Sequence, residues 1–378
     1  MAVSEIWQFQ NFVKNEVTVD VSGMVTYPLG GLYLVGMSSS VYHISYGVGS
    51  ALLVLRSDGY ARCLETAGRV TVRILRFLLI MTLRGFGGRV NIGLALMASH
   101  NKQWSSATPG LLIFLIDQSG SMLLPFKDSP DSRTVFSTRV VNRVIDSIIQ
   151  KNYNGDHAKD RCFIVVIGYS VGAKELCSGF LSDLDNSPKR MESVKKKISD
   201  GAGGLVEIDK KMPIWVEPIE EDGWTDMTAA FKMAKEIIEN WVKDKPESPA
   251  PVIINISDGV PYYNHKDIEA CSKETEAIAK EIMNINTKDG NVLIFNAEIG
   301  QGATQIILPN SVAEVNAGGD GAEFLYEISS VIPDGYKGAA EKNGLELKDG
   351  SKGAVFAADA ENLIKLIDFG SSKGQRDQ

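Results

Sequence analysis

Along residues 109–370, short and nearly unbroken apolar runs alternate with longer stretches in which apolar residues recur every three or four positions. The runs are Leu111–Ile116, Cys162–Ile167, Val252–Ile256 and Val292–Ala297, with a weaker one at Ala354–Ala357. Such runs suit parallel strands covered on both faces. Helical spacing appears in Val140, Val141, Val144, Ile145, Ile148 and Ile149, and again in Phe231, Ala234, Ile237, Ile238 and Trp241. Ile268, Cys271, Ile278 and Ile282 follow it more loosely, and a last helix over Asn362–Ile367 has Asp359 as its cap. Strands alternating with helices predict an α/β fold with a doubly wound, mostly parallel sheet and helices on both faces. Ala173–Leu184 and Ile214–Ile219 are read as an antiparallel edge pair, and 371–378 as a disordered tail.

Residues 1–108 carry no sustained period. Gly49–Leu55 reads as a strand, and Val70–Leu83 as a strand or a helix. Composition changes with the pattern. The first 108 residues hold seven Arg and two Lys against five acids, a net of +4, whereas 109–378 carry a net of −12 with Lys far outnumbering Arg. Three explanations stand open for this segment: a small all-β or mixed domain, a membrane-associating stretch, or a start assigned too early, with the true start near Met97. Val21–Leu55 lacks any Asp, Glu, Lys or Arg but also lacks about 20 consecutive strongly apolar residues. Phe77–Leu83 is too short to span a bilayer and is flanked by Arg76 and Arg84. A membrane anchor is therefore not expected, nor is a secretory signal.

Over the whole 378 residues the composition, 44% apolar and 23% charged, is that of an ordinary globular chain. Its net charge of −8 argues against non-specific nucleic-acid binding, which needs a basic face. Cys63, Cys162, Cys177 and Cys271 form no C-x-x-C pair, and the four histidines are dispersed, so a zinc cluster is unsupported. Free, largely buried thiols in a reducing cytosol are expected, although Cys162 and Cys177 could meet across adjacent strands.

The chemistry concentrates at predicted strand ends. Asp117-Gln-Ser119-Gly-Ser121 follows the first core strand directly, and Gly120 lets that turn curl without a Cβ clash. Thr225 lies in Gly223-Trp-Thr-Asp-Met-Thr at the entry to a helix, and Asp258 follows another core strand in Ile256-Ser-Asp-Gly259. In an open α/β sheet the loops at the carboxyl ends of the strands form the ligand crevice. Hydroxyl and carboxylate oxygens with no His or Cys favour Mg²⁺ or Mn²⁺, and Ca²⁺ less specifically.

This order, D-x-S-x-S after a strand, then G-x-T before a helix, then a strand ending in D-G, resembles the metal-ion-dependent adhesion site of von Willebrand factor type A domains. The likeness extends over 109–370 and implies a Rossmann-like sheet. It also implies that Ser119, Ser121 and Thr225 ligate a divalent cation, with Asp117 and Asp258 holding it directly or through water. The function implied is non-enzymatic capture of a protein partner through one of its Asp or Glu carboxylates. A looser likeness of Lys352–Lys365 to bacterial members of tellurium-resistance and stress-response type implies a cytoplasmic bacterial setting.

A rim for that partner is expected from residues beside the metal loops. Trp224 and Tyr262 are expected at the rim, while Leu123, Leu124 and Phe126 either join it or tuck under the first helix as core. Gly201–Gly204 and Gly85–Gly88 have no Walker lysine or dinucleotide fingerprint and read as turns. Glu220–Asp222 reads as a solvated loop, with attraction of cations the sharper alternative. No G-x-S-x-G elbow or placed histidine activates Ser119 or Ser121. The rival reading is a Mn²⁺- or Mg²⁺-dependent phosphoester hydrolase.

Overall fold

Strands that are apolar on both faces must be buried on both faces, and in the computed structural model they are. It describes residues 100–371 apart from 128, 200–204, 220–221, 301–303 and 317–320, and six strands within 1–99. The chain divides into two compact units, Met1–Met97 and Ala98–Gln378.

In the first unit, β1 (Thr18–Val19), β2 (Val25–Leu29), β3 (Leu32–Ser38), β4 (Val41–Tyr46), β5 (Gly49–Leu55) and β6 (Ala61–Thr66) pair in chain order. Every pairing is antiparallel. The expected strand at Gly49–Leu55 is β5. Val70–Leu83, the turns at Gly85–Gly88 and Gly201–Gly204, Glu220 and Glu221, and the tail from 372 onward lie outside the described residues. Among the described residues no helix is long and apolar enough to cross a membrane.

Residues 100–108 belong to the second unit. The His100 amide donates to the Asp289 carbonyl at 2.8 Å, and Trp104 covers Gly110 so closely that a Cβ there would lie 2.3 Å from the indole. The central sheet is built from β7 (Gly110–Asp117), β8 (Cys162–Ser170), β9 (Gly172–Phe180), β12 (Val252–Ser257), β13 (Leu293–Glu298), β14 (Ile306–Ile307) and β15 (Ala354–Phe356). Its order is β14-β15-β13-β12-β7-β8-β9, parallel except for the two edge strands. The fold is therefore a doubly wound α/β sheet. From β7 the chain adds β8 on one side and β12 on the other, so the winding reverses between β7 and β12.

Four long helices cover the sheet: α1 (Arg133–Lys151), α2 (Met227–Asp244), α3 (Ile268–Met283) and α4 (Ala360–Gly370). Within β7 the side chains alternate between layers. Leu112, Phe114 and Ile116 pack with Val141, Val144 and Ile145 of α1 and Leu366 and Ile367 of α4. Leu111, Ile113 and Leu115 pack with Ala230, Phe231 and Ala234 of α2 and Ala279 and Ile282 of α3. The caps match the sequence where they are short and polar: Asp359 accepts from the Asn362 amide at 2.9 Å.

Half of the expected edge pair is corrected. β9 is the antiparallel edge beside β8, but Ile214–Ile219 does not join it. Instead Leu205–Ile214 forms β11, which pairs with β10 (Arg190–Ser199) in a separate two-stranded hairpin. The hairpin's exit is clamped by Asn142 of α1, whose Oδ1 accepts from the Trp215 and Val216 amides at 2.9 and 3.0 Å, while its Nδ2 donates to the Val216 carbonyl at 2.8 Å. Cys162, Cys177 and Cys271 are free thiols, and Cys177 faces Val166 across the β8–β9 ladder rather than Cys162.

Because Asn142 is buried and satisfies three backbone groups, Asn142→Ala strands all three in a buried layer. A loss of about 3 kcal/mol is expected. Urea unfolding measures it; a loss below about 1 kcal/mol would mean that water replaces the amide.

Candidate functional site

The two aspartates of the sequence pattern end the strands on either side of the reversal. Asp117 closes β7 and is fully buried; Asp258 follows β12 and is 3% exposed. The Ser119 amide donates to Asp117 Oδ1 at 2.9 Å, and the Ser257 hydroxyl donates to Oδ2 at 2.8 Å. The chain then makes a short 3-10 turn over Gly120–Leu123. That turn brings Ser119 Oγ within 3.1 Å of Ser121 Oγ, and Ser121 Oγ donates to Asp258 Oδ1 at 2.8 Å. Asp117, Ser119, Ser121 and Asp258 thus form one continuous oxygen cluster.

Thr225 reaches the cluster through the backbone of its loop. The Gly120 amide donates to the Gly223 carbonyl at 2.9 Å. Thr225 and Tyr262 exchange backbone hydrogen bonds at 2.8 and 3.1 Å, tying the Thr225 loop to the segment after Asp258. The Asp226 amide donates to the Ser170 carbonyl at the end of β8, and the Asp226 carboxylate caps α2 through the Ala229 amide, both at 3.0 Å. Three loops from different parts of the chain are therefore sewn to one another by main-chain bonds.

The sequence pattern does not single out three of the contributors. Ser257 sits in the I-S-D-G segment itself, so its neighbour Asp258 is the available signal. Arg133 opens α1, and its guanidinium pairs with Asp258 Oδ2; no motif marks it. Asp222 reads in the sequence as part of a solvated loop, and it is exposed, yet a Cβ at Gly120 would fall 1.7 Å from its carboxylate oxygen. Gly120 is thus needed for this close approach, and the acidic side chain lies against the serine turn.

Burial pushes the Asp117 carboxyl up to about 7, and the charge of Asp258 adds to the rise against the opposing bonds from Ser119 and Ser257. Arg133 pairs with Asp258 alone, so the cluster is negative once Asp117 is ionised. The donors are carboxylate and hydroxyl oxygens, and among the described residues no three His, Cys, Asp or Glu side chains cluster as metal ligands. This set fits a small hard divalent cation that keeps several waters, and does not fit a thiolate or imidazole metal. Among the described residues no histidine hydrogen-bonds Ser119 or Ser121; their hydroxyls are engaged with each other and with Asp258.

Around the cluster the apolar residues divide. Phe126 is 8% exposed and stacks on Phe136 of α1 with centroids 3.7 Å apart, so it is core and not rim. Leu123 is half-buried. Leu124 and Tyr262 are 51% and 41% exposed. Trp224 is half-buried, with its indole edge-on to His265 at 4.8 Å. Val171, in the β8–β9 turn, is 75% exposed and stands beside Gly223. It belongs to no periodic pattern, so no local signal points to it.

No family model matches the chain, and no curated protein matches it. Among solved structures it is similar to the conserved hypothetical protein BatB from Bacteroides thetaiotaomicron, at 16% identity over 50% of this chain and 66% of that one, with a TM-score of 0.27. Proximal thread matrix protein 1 from the mussel byssus, in a form with a zinc-occupied MIDAS motif, matches at 15% identity over 70% of this chain and 48% of that one, with a TM-score of 0.34. A point mutant of the PilB minor pilin from Streptococcus sanguinis matches at 12% identity over 97% and 89%, with a TM-score of 0.39. At these values the α/β architecture rests on the strand order itself.

A carboxyl raised on folding holds a proton that the unfolded chain has already lost. Between its ordinary value of 3.8 and about 7, Asp117 therefore makes cation-free stability fall as pH rises. Asp117→Asn removes this contribution. Melting temperatures in EDTA across that window should fall more steeply for wild type than for D117N; parallel profiles would refute the assignment.

Proposed function

We propose that residues 109–370 form a von Willebrand factor type A module that captures a protein partner through a divalent cation. The reading is carried by the convergence of Asp117, Ser119, Ser121 and Asp258 at the point where the winding of the sheet reverses. When bound, Mg²⁺ (or Mn²⁺, with Ca²⁺ less suited) supplies an electrophilic centre that accepts an Asp or Glu carboxylate from the partner.

The chain's own residues prepare that centre. The Ser119 amide and Ser257 hydroxyl orient Asp117, Arg133 and Ser121 orient Asp258, and the Ser119, Ser121 and Thr225 hydroxyls supply neutral oxygens. With only two protein carboxylates contributed, room is left for a third from outside. Loops bridged by main-chain bonds hold this arrangement before the partner arrives, which lowers the entropy lost on binding. Leu124, Val171, Trp224 and Tyr262 form an apolar rim that shields the charge contact from water and selects partners with apolar residues beside the acid.

The module is read as non-enzymatic, since neither serine has a base to activate it. The likeness of Lys352–Lys365 to bacterial stress-response proteins supports a place within a cytoplasmic bacterial stress or defence complex. The residues before Ala98 are a separate N-terminal segment in this reading. No nucleic acid is involved.

Affinity capture from source lysate, run in Mg²⁺, in EDTA and with Asp117→Ala in Mg²⁺, tests the proposal. A partner retained only by wild type in Mg²⁺ is expected, and Leu124→Asp should weaken its binding about tenfold or more while leaving the cation in place. Equal capture in all three conditions would refute a cation bridge. Mn²⁺-dependent turnover of a generic phosphoester, lost in D117A, would favour the hydrolase.

A further inference from the structure

One cation is already built into this site. Arg133 is 8% exposed and reaches from the first turn of α1 to the far side of Asp258. Its Nη1 donates to Asp258 Oδ2, its Nη2 donates to the Gly300 carbonyl at 3.1 Å, and its Nε is buried without a hydrogen-bond partner. Gly300 has φ +90°, and a Cβ there would lie 2.3 Å from Arg133 Nε, so the backbone after β13 is shaped to admit the guanidinium. The two oxygens of Asp258 are thereby divided. Oδ1 faces the serine cluster and accepts from Ser121, while Oδ2 is occupied by Arg133.

Resting on the metal-site reading above, we propose that Arg133 sets the cation affinity and selectivity of the site by withholding one oxygen and one charge of Asp258. A guanidinium stays charged at any physiological pH, so it cancels one of the two carboxylate charges at all times. In a buried site that charge is poorly screened, and it opposes an incoming divalent ion. Division of the oxygens acts separately. Ca²⁺ takes six to eight oxygens and readily uses both oxygens of a carboxylate, whereas Mg²⁺ accepts one oxygen from each of a few carboxylates and fills the rest with water. With Oδ2 held by Arg133, Asp258 offers the geometry that Mg²⁺ uses. The guanidinium also leaves the filled site with net positive charge, which favours an outside carboxylate.

The test is direct cation binding to the full chain, with Mn²⁺ followed by electron paramagnetic resonance and with Mg²⁺ and Ca²⁺ as competitors. Arg133→Gln should bind Mn²⁺ about tenfold more tightly than wild type, and Ca²⁺ should gain more than Mg²⁺. Wild type that binds Mn²⁺ in an Asp117-dependent way, alongside R133Q of equal or weaker affinity, would overturn this role for Arg133 and leave the metal site standing. If neither binds Mn²⁺ above the level of D117A, the metal-site reading fails and the role fails with it. Should circular dichroism show R133Q unfolded, Arg133→Lys decides. Its compact ammonium cannot hold Asp258 and the Gly300 carbonyl together, so the Ca²⁺-to-Mg²⁺ preference should move about threefold toward Ca²⁺; an unchanged preference overturns the proposal.

Discussion

Folding forces two carboxylates together where water cannot screen them. Asp117 and Asp258 end neighbouring parallel strands, and both are buried. That repulsion is not an accident of loop placement, because the strands that carry the acids are the two between which the winding reverses, and their helices lead away on opposite sides. The loops therefore part at this point and leave a crevice. The acids remain close only because the chain supplies compensation: an amide and a hydroxyl for Asp117, a hydroxyl and a guanidinium for Asp258. Burial, with the charge of Asp258 added, still raises the proton affinity of Asp117 against the bonds from Ser119 and Ser257.

The same constraint explains which parts of the architecture can be read from the chain. β7, β8, β12 and β13 are covered on both faces, where the sequence is apolar almost throughout, so the runs at Leu111, Cys162, Val252 and Val292 mark them. The site is legible for a related reason. Its acids and serines follow immediately on those strands, so finding the strand end locates the donor. Thr225 is legible as the entry to α2, although what binds its loop to the others is backbone pairing, which leaves no trace in residue identity.

What is not legible depends on long-range contact. β10 and β11 mix charged and apolar residues without a strict period, and nothing local tells a two-stranded ribbon from a sheet edge. The clamp that ends it, Asn142, looks like an ordinary polar residue on an amphipathic helix. Phe126 lies in an apolar stretch beside a polar turn, where rim and core make the same pattern; its stacking on Phe136 decides for core. Arg133 is invisible for the opposite reason: a basic residue in the first turn of a helix is commonplace, and at that end of the helix dipole it is mildly unfavourable. Its position becomes intelligible only once Asp258 is seen beside it.

Two asparagines inside the apolar runs carry the constraint down into the sheet. Asn255 of β12 and Asn296 of β13 would each be an expensive interruption if left unpaired. Instead the Tyr169 hydroxyl donates to Asn255 Oδ1 at 3.0 Å, Asn255 Nδ2 donates to Asn296 Oδ1 at 2.9 Å, and Asn296 Nδ2 donates to Ser329 Oγ at 2.8 Å. Tyr169 is the β8 residue in register with Asp117, and its hydroxyl reaches Asn255 on β12, the strand beyond β7. Burial, with the charge of Asp117 added, keeps that hydroxyl protonated and so able to donate. Directional bonds of this kind help to fix the relative heights of β8, β12 and β13, since a one-residue slip of any of these strands would break at least one of them. The strand ends, and with them the two aspartates and the serine turn, are thus held at set heights by a polar relay beneath them. A cluster assembled from oxygens on separate loops depends on that rigidity, because a shift of about 1 Å at any strand end would pull those oxygens apart.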